Sequence, residues 1–160
     1  RVVVALSSNY ADGNLDCCRS MIDNPHTVIG LSDAGAHVRF ICDMSSPTYS
    51  LTHWARDRRR GERLPIELLV AKATDVPARL FGLHDRGRIQ PGLRADLNVI
   101  DLPRLQEHLP ELRADLPGGG LRYLQSSTGY LATLVHGQVT RDHDADTGVR
   151  PGRLARPVAA

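Results

Sequence analysis

The sequence predicts an α/β protein, and three observations carry that prediction. Through the first half, short apolar runs rich in β-branched residues alternate with segments punctuated as helices. The second half changes to alternating apolar residues set between turns that carry Gly and Pro. Hydrophobic residues make up 41% of the 160 and charged residues 24%, the balance of a globular chain. Aromatics are only 4%, so the core must come from Leu, Val, Ile and Ala.

In order along the chain, Val2 to Leu6 is a short buried-strand candidate. GNLDCCRSMIDNP then reads as a short helix with Leu15, Cys18, Met21 and Ile22 on one face, stopped at Asn24-Pro25. A second strand is predicted from Thr27 to Leu31, running into Ser32 and Asp33. After a loop to Ser46, SSPTYSLTHWARDRRRG carries strong helix punctuation. Ser46 serves as cap, Pro47 takes the first helical position and Gly61 stands just past the end. Leu51, Trp54 and Thr48 supply its inner face. Arg56, Arg58, Arg59 and Arg60 crowd the last turn, where they favour the negative end of the helix dipole and are expected to be solvated. LPIELLVAKA again has Pro at a helix start, with Leu68, Leu69 and Ala71 available for burial. TDVPARLFGL adds a short helix capped by Thr74 or Asp75 and closed by Gly82.

Pro91-Gly92 centres a type II turn, and Leu97, Val99 and Ile100 follow as a strand begun by Asp96, whose carboxylate is expected to accept from backbone N–H groups. Residues 103 to 120, rich in Pro and Gly, are expected to wander over the surface. GYLATLVHGQVTR is a hairpin signal around His136-Gly137, which fit a tight primed turn. The polar tail from Asp142 onward is expected to fray.

The stretch HTVIGLSDAGAH, residues 26 to 37, drives an apolar run to an abrupt carboxylate and follows it with Ala34, Gly35 and Ala36, too small to cover it. Two readings stand. Ser and Asp often end strands as turn residues because their side chains bond nearby backbone. Alternatively, Asp33 sits at the C-terminal end of a buried parallel strand, where α/β barrels place their chemistry.

Composition removes other classes. The net charge is only +2 and no basic patch is interleaved with aromatics, so nucleic acid is a poor partner. No apolar run approaches the roughly 18 residues of a membrane span. Cys17, Cys18 and Cys42 show no metal-type spacing and no disulfide framework, which fits reduced packing cysteines in the cytoplasm. None of the seven histidines makes an HxH or HExxH spacing. The first residue is Arg1, from which a processed N-terminus or a piece of a longer polypeptide is expected. Among the remaining residues, His53 and Trp54 are expected to pack or face a neighbour in their helix, and His84, Asp85 and Arg86 to form a connector with a salt bridge. Ser126, Ser127 and Thr128 make no nucleophilic triad with a distant histidine.

GLSDAGAH, PTYSLTHWARDRRRGERLPIE, ATDVPARLFGLHDRGRIQPGLRADLNVID, GYLATLVHGQVT and TGVRPGRLAR together resemble the C-terminal portion of the amidohydrolase superfamily, in its D-aminoacylase-like branch of N-acyl-D-amino-acid deacylases. The run from Pro77-Ala78 through Gly82, Gly87, Gly92 and Ala95-Asp96-Leu97 is a frequent superfamily ending. GLSDAGAHV with LTHWARDR is more particular to the branch.

The resemblance implies that residues 1–86 are the end of a metal-dependent (β/α)8 barrel and residues 87–160 part of a small β-sandwich. It implies that Asp33 matches the aspartate after the eighth barrel strand. There it would ligate a metal, take a proton from metal-bound water and pass it to the departing amide nitrogen. His37 is close enough in sequence to line the same pocket, or else it is a solvated loop residue. Arg39 is a candidate for two-pronged binding of the free carboxylate of an N-acyl amino acid. The resemblance implies zinc or another divalent metal, with the ligands of earlier barrel strands absent from this chain and the site incomplete. A barrel of this kind takes about 250 residues, so the missing N-terminal part is an expected partner, and oligomers are expected of the isolated chain. The alternatives are a cyclic-amide hydrolase of dihydropyrimidinase or hydantoinase type, and a non-catalytic remnant of the fold.

Overall fold

The computed structural model describes residues 9–30, 32, 35, 37, 39 and 44–156. The strand expected over Val2 to Leu6, together with Leu31, Asp33 and Cys42, lies outside the described residues. The chain is mixed α/β and divides into two compact units, residues 1–69 with 107–126 and residues 70–106 with 127–160. No helix among the described residues is long and apolar enough to cross a membrane.

In the first unit, helix α1 (Asp16–Asp23) ends where Asn24 turns extended, its N–H still donating to the Ser20 carbonyl at 3.1 Å. Leu15, Cys18 and Ile22 pack on the buried Trp54, Leu64 and Leu69. Met21, expected on the same face, is exposed, because it falls at the edge of the arc those three define. Helix α2 (Ser46–Tyr49) has Pro47 in its first turn, but its cap position is Ser45 and no side-chain cap bond forms. It passes directly into a π-helical turn, Ser50–Asp57, rather than the single α-helix expected. Ser50 Oγ and Thr52 Oγ1 donate to the carbonyls four residues back, at 2.9 and 3.1 Å. Such back-bonding competes with the regular ladder and bends helices. The wider turn closes with Arg58 N–H on the His53 carbonyl at 2.9 Å, a five-residue step.

Arg58 corrects the expectation of a solvated helix end. Its side chain is 2% exposed. It lies over the Trp54 ring, 4.8 Å from the centroid. It donates to the Arg60 and Glu62 carbonyls at 2.8 and 3.0 Å and pairs with Asp16. A guanidinium carries five donors in one plane, so it can tie α1 to the end of the π-helical turn while its face stacks on indole. Gly61, at φ +92, makes room: a Cβ there would stand 2.6 Å from both Arg58 Nη2 and Asp16 Oδ1. Arg59 and Arg60 are exposed, as expected of them.

Helices α3 (Ile66–Ala73) and α4 (Asp75–Leu80) form as predicted, with Leu69 1% exposed. Thr74 holds the cap position of α4 but bonds backward, its Oγ1 donating to Val70 O at 2.7 Å. Thr27 to Leu31 was expected to be a strand. Residues 27–30 carry no regular structure, because no described strand gives them a hydrogen-bond ladder.

The strands are β1 (Leu97–Ile100), β2 (Gln106–Glu107), β3 (Glu111–Leu116), β4 (Gly120–Leu124), β5 (Ser127–Thr128), β6 (Tyr130–Val135), β7 (Gln138–Asp142) and β8 (Ala145–Asp146). Residues 103–120 do not wander, for β3 and β4 form an antiparallel hairpin around Pro117-Gly118-Gly119, with Leu112 opposite Tyr123. In the second unit the sheet order is β1-β6-β7-β8, all antiparallel. The predicted turn at His136-Gly137 is present, with φ of +52 and +75 and Val135 paired to Gln138. The tail does not fray at once, since His143 and Asp144, both at positive φ, return the chain as β8. Leu93 N donates to Gln90 O at 3.1 Å across the predicted Pro91-Gly92 turn. Asp96 Oδ1 accepts from His136 N–H at 2.7 Å, the anchoring role the sequence suggested, here across the sheet. Gly129, at φ +99, lies against Leu105, where a Cβ would come 2.6 Å from the Leu105 Cα.

Candidate functional site

The segment leading to Asp33 is set by the end of α1. Asn24 Oδ1 accepts from His26 N–H at 2.8 Å, and Thr27 N–H donates to Asn24 O at 3.2 Å. This Asx-type turn reverses the chain, and Thr27 Oγ1 fastens it by donating to Met21 O at 2.5 Å. From there side chains alternate, Thr27 and Ile29 half-buried, Val28 and Gly30 exposed, with Ser32 half-buried again. The backbone then enters the left-handed region twice, at Gly35 (φ +90) and His37 (φ +46). Left-handed geometry at a non-glycine residue is uncommon and clusters at functional loops.

Of the three residues the sequence singled out, Asp33 lies outside the described residues. His37 and Arg39 are exposed positions of the same loop. No hydrogen bond or ion pair among the described residues joins them. Among the described residues there is also no group of three or more His, Cys, Asp or Glu able to hold a metal ion. Zinc sites need three or four such ligands, so the described donor set does not fit a divalent metal.

Other polar features went unread in the sequence. Tyr49 and His53 stack in parallel, centroids 4.8 Å apart, and His53 meets Trp54 edge-on at 5.0 Å. His53 and Trp54 thus each pack on a neighbour, as expected, and here on one another as well. Burial, and next the charge of Arg58, hold His53 below the ordinary histidine range. Burial also pushes the Tyr49 phenol up, helped by the Glu107 charge. Glu107 Oε2 and Arg19 Nε are buried with no hydrogen-bond partner among the described residues. The signal for Arg58 was present in the spacing: it stands four residues after Trp54, the separation at which helical side chains meet. Asp85 and Arg86 form the expected salt bridge at 2.9 Å, and Arg86 reaches Asp96 at 3.3 Å.

Comparison with known proteins bears on the loop and on most of the chain. A family model described as "Amidohydrolase family" matches residues 8–141. An N-acyl-D-glutamate deacylase from Alcaligenes xylosoxydans xylosoxydans is 35% identical over 98 residues, 61% of this chain and 18% of that protein. An imidazolonepropionase from Paracoccus denitrificans is 41% identical over 76 residues, 45% of this chain and 19% of its own length. A dihydroorotase from Lactobacillus gasseri is 29% identical over 94 residues, 58% of this chain and 20% of its own. The chain therefore spans about a fifth of the curated relatives it matches. No solved structure matches it significantly.

Proposed function

The chain belongs to the amidohydrolase family, and on that premise we propose that it is the closing segment of a longer amide hydrolase acting on N-acyl-D-amino acids. The observation that carries this reading is the similarity to the deacylase, which covers more of the chain than the similarities to the imidazolonepropionase and the dihydroorotase. In this reading residues 1–86 close a (β/α)8 barrel and residues 87–160 contribute to a β-sandwich.

Asp33 is the proton-transfer group. Its carboxylate takes a proton from the attacking water and returns it to the amide nitrogen as the C–N bond breaks, giving a carboxylate and a free amine. The backbone turns sharply at Gly35 and His37, and the three residues after Asp33 in the sequence, Ala34, Gly35 and Ala36, are all small. Arg39, exposed on that loop, binds the substrate's own carboxylate through two N–H groups, and His37 lines the approach. A divalent metal, zinc or another, would polarise the scissile carbonyl when bound. The described residues do not supply its ligands, so no step here runs through it. Exposed Leu80, Phe81 and Ile89 support a further part of the proposal, that this chain buries apolar surface against the remaining barrel or a second copy.

A cyclic-amide hydrolase is the second reading, favoured by the similarity to the dihydroorotase. The two separate in one assay. The polypeptide that carries this chain should release free amino acid from N-acetyl-D-glutamate and related N-acyl-D-amino acids, and leave dihydropyrimidines and hydantoins untouched. Turnover confined to the cyclic amides would replace the deacylase reading with the second one.

A further inference from the structure

Cys17 and Cys18 lie in the first turn of α1, and one backbone carbonyl engages both of their sulfurs. Neighbouring side chains on a helix diverge by about 100°, since there are about 3.6 residues per turn. Here the Asn9 carbonyl folds over the helix start and accepts from both thiols, from Cys17 Sγ at 2.9 Å and Cys18 Sγ at 3.5 Å. Cys17 is exposed, while Cys18 is half-buried and packs on the cluster of Trp54, Leu64 and Leu69.

A direct disulfide is the wrong product for this pair. Consecutive Cα atoms stand about 3.8 Å apart, short of the about 4.4 Å at which disulfides begin, and a helical backbone gives no slack. An atom inserted between the two sulfurs lifts that constraint. A soft, thiophilic centre is the chemical class that bonds two sulfurs and tolerates a carbonyl oxygen beside them.

We propose that Cys17 and Cys18, gathered on the Asn9 carbonyl, form a dithiol site for trivalent arsenicals. The reaction balances without any redox partner. An arsenoxide, R–As=O, forms two As–S bonds, its As–O bond breaks, and the two thiol protons leave with the oxygen as water. Arsenic stays trivalent throughout. Burial pushes the Cys18 thiol up, and the neighbouring Cys17 thiol adds to this, so uptake is expected to quicken as pH rises. Capture would also draw Cys18 from its packing and loosen the start of α1.

The test treats the full chain with phenylarsine oxide in excess glutathione and reads the adduct by mass spectrometry. One phenylarsenic group per chain, bound with loss of water, should survive the monothiol and be stripped by a dithiol such as 2,3-dimercaptopropanol. Cys17→Ser, a change at an exposed position, should abolish retention under glutathione while circular dichroism stays that of the parent. Cys18→Ser should do the same, and Cys42→Ser should leave retention intact. Retention in Cys17→Ser, its loss in Cys42→Ser, or no glutathione-resistant adduct in the parent would each overturn the assignment.

Discussion

In the helical part of the first unit Trp54, Leu64 and Leu69 are buried together, whereas the four-stranded sheet of the second leaves Val99, Leu131 and Val139 exposed. The helices are short: α1 and α3 have eight residues each. Isolated helices of fewer than about 12 residues are marginal in water, so these depend on side chains that cross between elements. Arg58 and the Trp54 cluster provide them. The sheet depends instead on backbone ladders closed by two-residue turns and on ion pairs at its rim, such as Arg150–Asp146 at 2.6 Å. One region fails when a side chain is lost; the other when a backbone conformation is forbidden.

Three changes sharpen that contrast. The largest effect is expected in the helical region, from Arg58→Met. Breaking a fully buried ion pair costs about 3–5 kcal/mol, but Asp16 is 60% exposed and water can replace its partner. We therefore expect a loss of about 2–3 kcal/mol, mostly from the Arg60 and Glu62 carbonyls left unpaired and the uncovered Trp54 face. Urea denaturation checks it; a loss below about 0.5 kcal/mol, the level of an ordinary surface substitution, would mean the guanidinium is not a tie. In the second unit Gly129→Ala removes nothing, yet it places a methyl against the Leu105 backbone and forces alanine to positive φ. A cost of about 1–3 kcal/mol is expected from the strain, read as a fall in melting temperature.

The smallest effect concerns the rim of the sheet. Hydrogen bonds from Arg150, and then the Gly148 N–H, hold the Asp146 carboxyl down at about 2. A carboxyl depressed in the folded state contributes stability that is fully present above its unfolded pKa, about 3.9, and lost as pH falls through the folded value. Melting temperature should therefore decline between about pH 4 and pH 2. Asp146→Asn should flatten part of that decline. Unaltered acid sensitivity in the variant would show that the pair contributes nothing to folding, as many exposed ion pairs do not.

Local chemistry was legible in the sequence, and long-range chemistry was not. The hairpin around His136-Gly137, the turn at Pro91-Gly92 and the stop at Asn24 each depend on a few adjacent residues, so their types name the conformation. The β3–β4 hairpin is not legible in the sequence because Glu111–Leu116 is exposed at all but its last residue. A strand with no buried face shows no alternation, and Pro117-Gly118-Gly119 then reads as loop rather than turn. Arg58 reads as one of a solvated run because its acceptors, the Asp16 carboxylate and two carbonyls, are invisible in a list of charges. Residues 27–30 do alternate in exposure, but a strand needs a neighbour, and none of the described strands supplies one. At the candidate site, the resemblance points to Asp33, His37 and Arg39 through their order in the sequence, and order alone does not bring three side chains together.

The proposal that Asp33 transfers the proton is tested most directly by comparing turnover with stability in the polypeptide that carries this chain. Asp33→Asn is nearly isosteric and keeps hydrogen-bonding capacity for neighbouring backbone, but its amide is neither charged nor basic. On an N-acyl-D-amino acid, kcat should fall by roughly 10²–10⁴, the range for losing general acid–base help, while the melting temperature stays close to that of the parent. Near-full kcat with a loss of several degrees would contradict the account and make Asp33 a turn residue.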